Sequence, residues 1–258
     1  MENCACWHDE VIGAMTELLR LDAISKRFGS IVVADALDLS MQSTEALGIL
    51  GPNGAGKTSL FGLISGTLRP DHGRVTFRGE DLTDLPPQRR CRKGIARSFQ
   101  IPQPFARMTV LENLLVAAAF GRNLAEAEAY RHCVTTLERC GLVGKANRLA
   151  GALTLLDRKR LELARALASQ PTLLLLDEVA GGLVEHECAE LIALIKEIRK
   201  EGVAIVWIEH IVHALVAVVD RVVVLHGGRF IAQGNPAEVI KSPQVAEIYL
   251  GIPTEALQ

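Results

Sequence analysis

One octapeptide constrains the fold of this chain more than any other feature. It is Gly51-Pro-Asn-Gly-Ala-Gly-Lys-Thr58, which lies between a short apolar run, residues 47–50, and a helical pattern that starts at Ser59. The apolar run is predicted to be a buried strand. Glycines at this spacing let backbone N–H groups converge on phosphate oxygens, and the N-terminus of the following helix adds a positive dipole. Strand, loop and helix in this order predict a P-loop that binds nucleotide phosphates.

The side chains of this loop extend the prediction to an ATP site. Lys57 would reach the β- and γ-phosphates, and the hydroxyl group of Thr58 would ligate Mg²⁺. A chance glycine turn is the alternative, and the strand and helix on either side argue against it. The residues predicted to bind ATP are Gly51, Pro52, Asn53, Gly54, Ala55, Gly56, Lys57, Thr58 and Ser59.

Two carboxylates follow a second apolar run, residues 173–176. Asp177 would hold Mg²⁺, and Glu178 would polarise the attacking water as a general base, although positioning and electrostatics supply most of the rate. Alone, this pair could equally be a solvated strand end. Together with the P-loop it predicts ATP hydrolysis.

His210 follows a third apolar run, residues 203–208, and one glutamate. A residue in this position lies at the edge of the sheet where open α/β folds bind ligands. A lone histidine at a strand end is more often structural. Its order after the P-loop and the two carboxylates favours instead a sensor of the γ-phosphate.

The remaining patterns alternate between strand and helix, which is typical of the α/β class. Leu111, Leu114 and Ala118 recur at helical spacing, as do several residues between 125 and 140, so a helical subdomain is predicted at about residues 101–165.

The C-terminal part of the chain carries hairpin and helix signals. Residues 221–225 and 229–233 are predicted to form a hairpin split by Gly227-Gly228. Two short helices are predicted to follow, one after Asn235-Pro236 and one after Ser242-Pro243.

Composition limits the other function classes. The formal charge of −2 lacks the basic footprint of a nucleic-acid binder, and no apolar run approaches the roughly 20 residues that span a bilayer. The six cysteines are mostly scattered, which is typical of reduced thiols in the cytosol.

The start of the chain differs from the rest. Residues 1–17 are predicted to be a disordered extension, and residues 18–258 a single domain. A metal site formed by Cys4, Cys6 and His8 is the alternative for the extension.

From Leu18 to Gly251 the ordered motifs resemble the ABC ATPase family. The P-loop, the Q-loop glutamine Gln100 in Ala96-Arg-Ser-Phe-Gln100, the Walker B pair Asp177-Glu178, the D-loop residues Gly182-Leu183 and the switch histidine His210 carry the resemblance. It implies a P-loop NTPase fold with a RecA-like core, an N-terminal antiparallel β subdomain and a helical subdomain.

The resemblance also implies roles for individual residues. The catalytic residues would be Glu178, His210 and Gln100, and the metal would be held by Thr58, Gln100 and Asp177. Phe28 stands where the family places an aromatic ring against adenine, although a core phenylalanine is about as compatible with the sequence. The loop at 102–108, including Phe105, would contact the membrane subunits.

One motif departs from the family pattern. Where the family has Leu-Ser-Gly-Gly-Gln, this chain has Leu153-Thr-Leu-Leu-Asp157. By resemblance, Thr154, Leu155, Leu156 and Asp157 would contact ATP held by the partner of a dimer, where the leucines add bulk and Asp157 would repel phosphate. The alternative is a helix start in which Thr154 and Asp157 form a capping box. The departure predicts pairing with a different ATPase subunit that carries a regular signature.

Further segments most resemble the ATPase subunits of branched-chain amino-acid importers, with urea importers and lipopolysaccharide exporters as close alternatives. The segments are 96–100, 108–114, 176–183, 208–210 and 246–251. The implied partners are a second ABC ATPase subunit in a hetero- or homodimer, permease subunits and, indirectly, a periplasmic solute-binding protein, with no nucleic acid. The implied location is cytoplasmic, peripheral on the inner face of the cell membrane. A regulatory ATP-binding subunit with little turnover remains the alternative.

Overall fold

The computed structural model describes residues 16–122 and 124–250, and these form two sheets with helices packed around them. The strands are β1 (Glu17–Phe28), β2 (Ile31–Gln42), β3 (Ala46–Leu50), β4 (His72–Phe77), β5 (Glu80–Asp81), β6 (Ile95–Arg97), β7 (Leu173–Asp177), β8 (Ala204–Ile208), β9 (Arg221–His226) and β10 (Arg229–Gly234). The helices are α1 (Lys57–Ser65), α2 (Pro87–Arg92), α3 (Val110–Arg122), α4 (Glu126–Arg139), α5 (Leu155–Ala168), α6 (Glu185–Lys200), α7 (Val212–Val216), α8 (Pro236–Lys241) and α9 (Pro243–Leu250).

The two sheets have different topologies. The first is antiparallel, in the order β2-β1-β4-β5. The second has the order β10-β9-β3-β8-β7-β6, and it is parallel except for the hairpin between β9 and β10. The predicted α/β fold, with an N-terminal antiparallel β subdomain and a RecA-like core, is confirmed.

The central strands β3, β7 and β8 are buried at every position. A strand covered on both faces has no polar alternation, which is why these segments are continuous apolar runs in the sequence. In β7, Leu174 and Leu176 join the core on the side of α3, α5 and α6, while Leu173 and Leu175 join the core shared with α1 and the antiparallel sheet. Two hydrophobic cores therefore hold one sheet between them.

Short-range patterns predicted the C-terminal elements well. The hairpin forms with Gly227 and Gly228 at φ 55° and 78°, a left-handed conformation that glycine adopts without strain. Asn235 caps α8 by accepting the backbone N–H of Ala237 at 2.9 Å.

The helices α3, α4 and α5 pack against one another within the predicted helical subdomain. The last of them, α5, continues to Ala168, three residues beyond the predicted limit of that subdomain. Among the described residues no helix is both long and apolar enough to cross a membrane.

The predicted extension, residues 1–17, lies outside the described residues as far as residue 15, and so do Cys4, Cys6 and His8. Glu17 already belongs to β1 and pairs with Gln42, so the strand starts one residue before the predicted domain boundary.

Register brings three strand ends to one place. Ile208 in β8 pairs with Ile49 in β3 and, on its other side, with Asp177 in β7. The P-loop, Asp177 with Glu178, and His210 follow these three ends. Parallel pairing therefore collects the predicted site residues at one edge of the sheet.

Arg90 fixes the far end of the P-loop helix. Its guanidinium group is buried and donates to the carbonyl oxygens of Leu63 and Ile64 at 2.7 and 2.9 Å, at the C-terminus of α1. It also donates to Leu85 and Thr83 at 2.9 and 3.0 Å. A cation at a helix C-terminus is favoured by the helix dipole, so Arg90 stabilises both α1 and the connection that follows it.

We expect Arg90→Met to lower the free energy of unfolding by at least about 3 kcal/mol, because buried carbonyl groups would lose charge-assisted hydrogen bonds. Urea denaturation of the purified chain measures this quantity. Arg89→Met, an exposed arginine of the same helix, is the matched control and should change the free energy of unfolding by less than about 0.5 kcal/mol. Equal effects of the two substitutions would contradict the structural role of Arg90.

Candidate active site

The P-loop has the geometry of an anion cradle. The helix α1 begins at Lys57 directly after Gly56, whose φ is 104°, and no side chain of the described residues caps the helix. The N–H groups of a first helical turn have no acceptor within the helix. These groups and the helix dipole therefore remain available for phosphate oxygens.

Two glycines of this loop leave no room for a side chain. A Cβ atom on Gly56 would lie 2.3 Å from the carbonyl oxygen of Val33, and one on Gly51 would lie 2.2 Å from that of Leu225. Gly54, in contrast, faces open space at φ 80°. The loop is thus packed tightly against β2 and β9, and Gly54 keeps a surface free for close approach by a ligand.

Lys57 lies across the loop that precedes it. Its Nζ donates to the carbonyl oxygens of Gly51 and Pro52 at 2.7 and 2.9 Å. Burial lowers the pKa of Lys57, and the charges of Glu178 and Asp177 oppose that shift. The lysine and the two carboxylates therefore share one electrostatic environment.

The three predicted catalytic residues meet at the carboxylate of Glu178. Its Oε1 lies 2.7 Å from Nε2 of His210, and its Oε2 accepts a hydrogen bond from the amide group of Gln100. Residues 78 and 32 positions away in the chain are thus brought to one side chain.

Glu178 itself has an unusual backbone. Its φ is 48°, in the left-handed region where non-glycine residues are strained by about 1 kcal/mol or more. The backbone N–H of Glu178 donates to Ile208 at 2.9 Å, and its carbonyl oxygen accepts from Nζ of Lys159 at 3.4 Å. Strain held by hydrogen bonds on both sides is typical of a functional position.

Three charged residues of the site were missed by the sequence analysis. Arg97 donates to Oδ2 of Asp177 at 2.8 Å, and Lys159 contacts the backbone of Glu178. Glu209 is buried and accepts the backbone N–H groups of Ala180 and His210 at 3.1 and 3.0 Å. Each is a charged residue next to a long apolar strand or a motif residue, and that pattern is the signal that could have found them.

The residues present fit a magnesium ion bound together with a nucleotide. Thr58 offers one hydroxyl group and Asp177 one buried carboxylate, and the described residues hold no cluster of three or more His, Cys, Asp or Glu that could form a metal cage. Mg²⁺ typically takes one or two protein ligands, completes its octahedron with waters and binds substrate phosphates. Gln100, also predicted as a ligand, uses its amide nitrogen on Glu178 here, and its metal contact stays a prediction.

Phe28 is not a core residue. It ends β1, its side chain is 47% exposed, and Nζ of Lys26 lies 5.5 Å from the ring centroid. The core alternative is therefore wrong. An exposed ring face is what stacking on adenine requires, and that contact stays a prediction.

The signature-like loop is a helix start. The hydroxyl group of Thr154 accepts the backbone N–H of Asp157 at 3.3 Å, which caps α5. The carboxylate of Asp157 does not complete the predicted capping box, because it binds Nζ of Lys145 at 2.6 Å and the residue is only 3% exposed. The ion pair with Lys145 offsets the charge of Asp157, and the predicted repulsion of the partner's phosphate stays a prediction. Leu155 is exposed beside the D-loop residue Gly182.

Comparison with known proteins gives consistent relatives. The family model described as ABC transporter matches residues 34–181. The high-affinity branched-chain amino acid transport ATP-binding protein LivG of Salmonella typhimurium is 38% identical over 251 residues, covering 91% of this chain and 98% of that protein. The corresponding BraF of Pseudomonas aeruginosa is 35% identical with the same coverage. The lipopolysaccharide export system ATP-binding protein LptB of Haemophilus influenzae is 32% identical over 91% of this chain and 97% of that protein.

Solved structures agree with the fold. A nucleotide-free ATP-binding cassette from an ABC transporter has a TM-score of 0.84 at 31% identity, covering 92% of this chain and 100% of that one. The ADP conformation of MJ1267, an ATP-binding cassette of an ABC transporter, also has a TM-score of 0.84, at 32% identity, covering 92% of this chain and 99% of that one.

We expect Gly56→Ala to destabilise the nucleotide-free chain by roughly 2 kcal/mol more than Gly54→Ala, because only the former drives a methyl group into a backbone oxygen. Both substitutions place alanine at positive φ, so the difference isolates the steric term. Urea unfolding without nucleotide measures it. Equal losses would mean that the P-loop shifts away from Val33 at no cost.

Proposed function

This chain belongs to the ABC transporter family as an ATP-binding subunit that couples ATP hydrolysis to transport, and we propose that it powers an importer of branched-chain amino acids. The observation that carries the proposal is the identity of 38% and 35% to LivG and BraF over 91% of the chain. The relative from lipopolysaccharide export is less similar, at 32%.

ATP binding is assigned to the P-loop and Phe28. The first-turn N–H groups of α1 would hold the phosphates, Lys57 would leave its carbonyl partners for the β- and γ-phosphates, and Phe28 would stack on adenine. Thr58 and Asp177 would hold Mg²⁺, which would neutralise charge on the phosphates.

Hydrolysis is assigned to Glu178, which would orient the attacking water. Both of its carboxylate oxygens are engaged, one by His210 and one by Gln100. Each of these oxygens keeps a second lone pair, so a water can bind the carboxylate beside His210 and Gln100. The two contacts would then orient Glu178 toward the attacking water.

Gln100 also begins the loop that leads to a partner surface. ATPases of this family dimerise and associate with the permease subunits of a transporter. A groove of about 520 Å³ lies between α2, α3 and α5, with Phe99, Val116, Ala117 and Phe120 among its apolar lining, and Phe120 is 70% exposed. We assign this groove to an apolar segment of a permease, which would hold the chain at the inner face of the membrane.

The predicted docking loop, residues 102–108, lies apart from the groove at Phe105. Phe105 is partly exposed, with the guanidinium group of Arg165 5.0 Å from its ring centroid. It lies beside α5 and does not line the groove. Docking is therefore proposed chiefly on α2 and α3, with the Q-loop at its margin.

The signature-like loop supports pairing with a different ATPase subunit. In the dimer that the resemblance implies, the loop approaches the partner's γ-phosphate, where glycines permit close backbone contact. Here Leu155 and Leu156 occupy the glycine positions, and Leu155 is 43% exposed. The site at Lys57 would be completed by the partner's own signature loop.

We expect leucine to stimulate ATP hydrolysis when this chain is reconstituted with the permease subunits, second ATPase and solute-binding protein of its transporter. Glu178→Gln should lower the stimulated rate by at least about 100-fold, because a general base contributes about 10²- to 10⁴-fold, while ATP binding is retained. Phosphate release by the proteoliposomes measures the rate.

Glu138→Gln, an exposed glutamate of α4, is the matched control and should leave the rate unchanged. Stimulation by urea or lipopolysaccharide in place of leucine would overturn the substrate class. Full activity of a homodimer of this chain would contradict hetero-pairing, and unchanged turnover in Glu178→Gln would favour a regulatory ATP-binding subunit.

We expect Phe120→Asp to reduce the stimulation of hydrolysis by the permease subunits at least about tenfold, since a buried contact with an apolar partner segment would gain an unpaired charge. The ratio of rates with and without permease is the measurement. Tyr130→Asp, an exposed aromatic of α4 outside the groove, is the control. Similar ratios in both variants would mean that the permease docks elsewhere.

A further inference from the structure

Arg97 is a largely buried arginine whose role was not predicted from the sequence. It ends β6, and its side chain is only 12% exposed. The guanidinium group lies 5.5 Å from the ring centroid of Phe61 and 5.3 Å from that of Phe99. Packing against two aromatic rings restricts the movement of the group and of its N–H fork.

This fork is aimed at the carboxylate of Asp177. Nη2 of Arg97 lies 2.8 Å from Oδ2, and the side chain of Asp177 is 5% exposed. The neighbouring residue, Ser98, accepts the backbone N–H of Asp177 at 3.3 Å through its hydroxyl group. Arg97, the last residue of β6, and Ser98 directly after it therefore hold both the carboxylate and the backbone of Asp177.

The two oxygens of Asp177 are consequently not equivalent. Oδ2 is committed to Arg97, whereas among the described residues no donor contacts Oδ1. A carboxylate restrained at one oxygen cannot rotate freely about its last bond. Groups that orient a metal ligand from behind typically change metal affinity about 10- to 100-fold when they are removed.

We propose that Arg97 is a positioning residue, which holds Oδ2 of Asp177 so that Oδ1 is presented to the Mg²⁺ that accompanies ATP. The inference rests on the proposed function, because Asp177 is there assigned to the metal. A purely structural ion pair would stabilise the fold and leave metal binding unchanged. The positive charge of Arg97 acting through space would instead weaken metal binding, so its removal would strengthen it.

The three possibilities differ in the magnesium dependence of nucleotide binding by the isolated chain. The measurement is the dissociation constant of the ATP analogue AMP-PNP, which avoids turnover, in excess EDTA and in saturating Mg²⁺. The quantity compared between variants is the dissociation constant in EDTA divided by the dissociation constant in Mg²⁺. We call this ratio the magnesium gain. Metal-free binding reports on the P-loop and Phe28, and the magnesium gain reports on the metal ligands Thr58 and Asp177.

Arg97→Met should lower the magnesium gain about tenfold, in line with other outer ligand partners, and leave metal-free binding within about twofold of wild type. Arg97→Lys keeps the cation and loses the planar fork, and it should lower the gain by a smaller factor. It also serves as the second variant if Arg97→Met does not fold, as judged by circular dichroism. An unchanged or increased gain in a folded variant would overturn the proposal.

Arg221→Met is the matched control. Arg221 forms an ion pair of 2.9 Å with Glu45 at the opposite edge of the same sheet, with side chains 27% and 11% exposed. Its loss removes an arginine–carboxylate pair without touching the nucleotide site. The magnesium gain of Arg221→Met should equal that of wild type, and a loss matching that of Arg97→Met would overturn the proposal.

Asp177→Asn separates this inference from the function on which it rests. If Asp177→Asn removes the gain and Arg97→Met adds nothing in that background, Arg97 acts through Asp177. If Asp177→Asn leaves the gain intact, the metal assignment of the proposed function fails. If the magnesium gain depends on Asp177 but not on Arg97, the inference about Arg97 is wrong and the metal assignment of Asp177 stands.

Discussion

The parallel pairing of β3, β8 and β7 is the constraint on which the rest of this structure depends. Because all three strands run in the same direction and are buried on both faces, their carboxyl ends meet at one edge. That edge receives the P-loop, the two carboxylates and His210, which lie between residues 51 and 210 of the chain. A slip of one residue in β7 would send Asp177 to the other face of the sheet, so register and chemistry are specified together.

Most of this arrangement could be predicted from the sequence, because its signals are local. Each of these signals occupies no more than about ten consecutive residues. They are the P-loop, the apolar runs of β3 and β7, and the capped start of α8. Side-chain partners distant in the chain could not be predicted. Arg97 and Asp177 are 80 residues apart, and no periodicity links them. Lys145, the partner of Asp157, is only 12 residues away, but it lies on a different segment and no local pattern links the two.

Electrostatic pairing explains why the site tolerates so many buried charges. Lys57 is buried and bonded to carbonyl oxygens, Asp177 is paired with Arg97, and Glu209 is satisfied by backbone N–H groups. A buried charge without a partner costs several kcal/mol, so each of these contacts is needed before any ligand arrives. In the proposed function, ligand binding is an exchange of partners in which phosphate would replace the carbonyl oxygens at Lys57.

Two residues that follow β6, Phe99 and Gln100, connect the nucleotide site to the groove. Phe99 packs on the guanidinium group of Arg97 and also lines the groove, while the next residue, Gln100, holds the carboxylate of Glu178. Two adjacent residues thus line the groove, pack on the arginine that binds Asp177 and hold the carboxylate of Glu178. A segment that enters the groove and moves Phe99 must disturb at least one of those contacts, because packed groups have few alternative positions. If a permease segment occupies the groove as proposed, its coupling to hydrolysis needs no long pathway, since one strand end separates the groove from the nucleotide site.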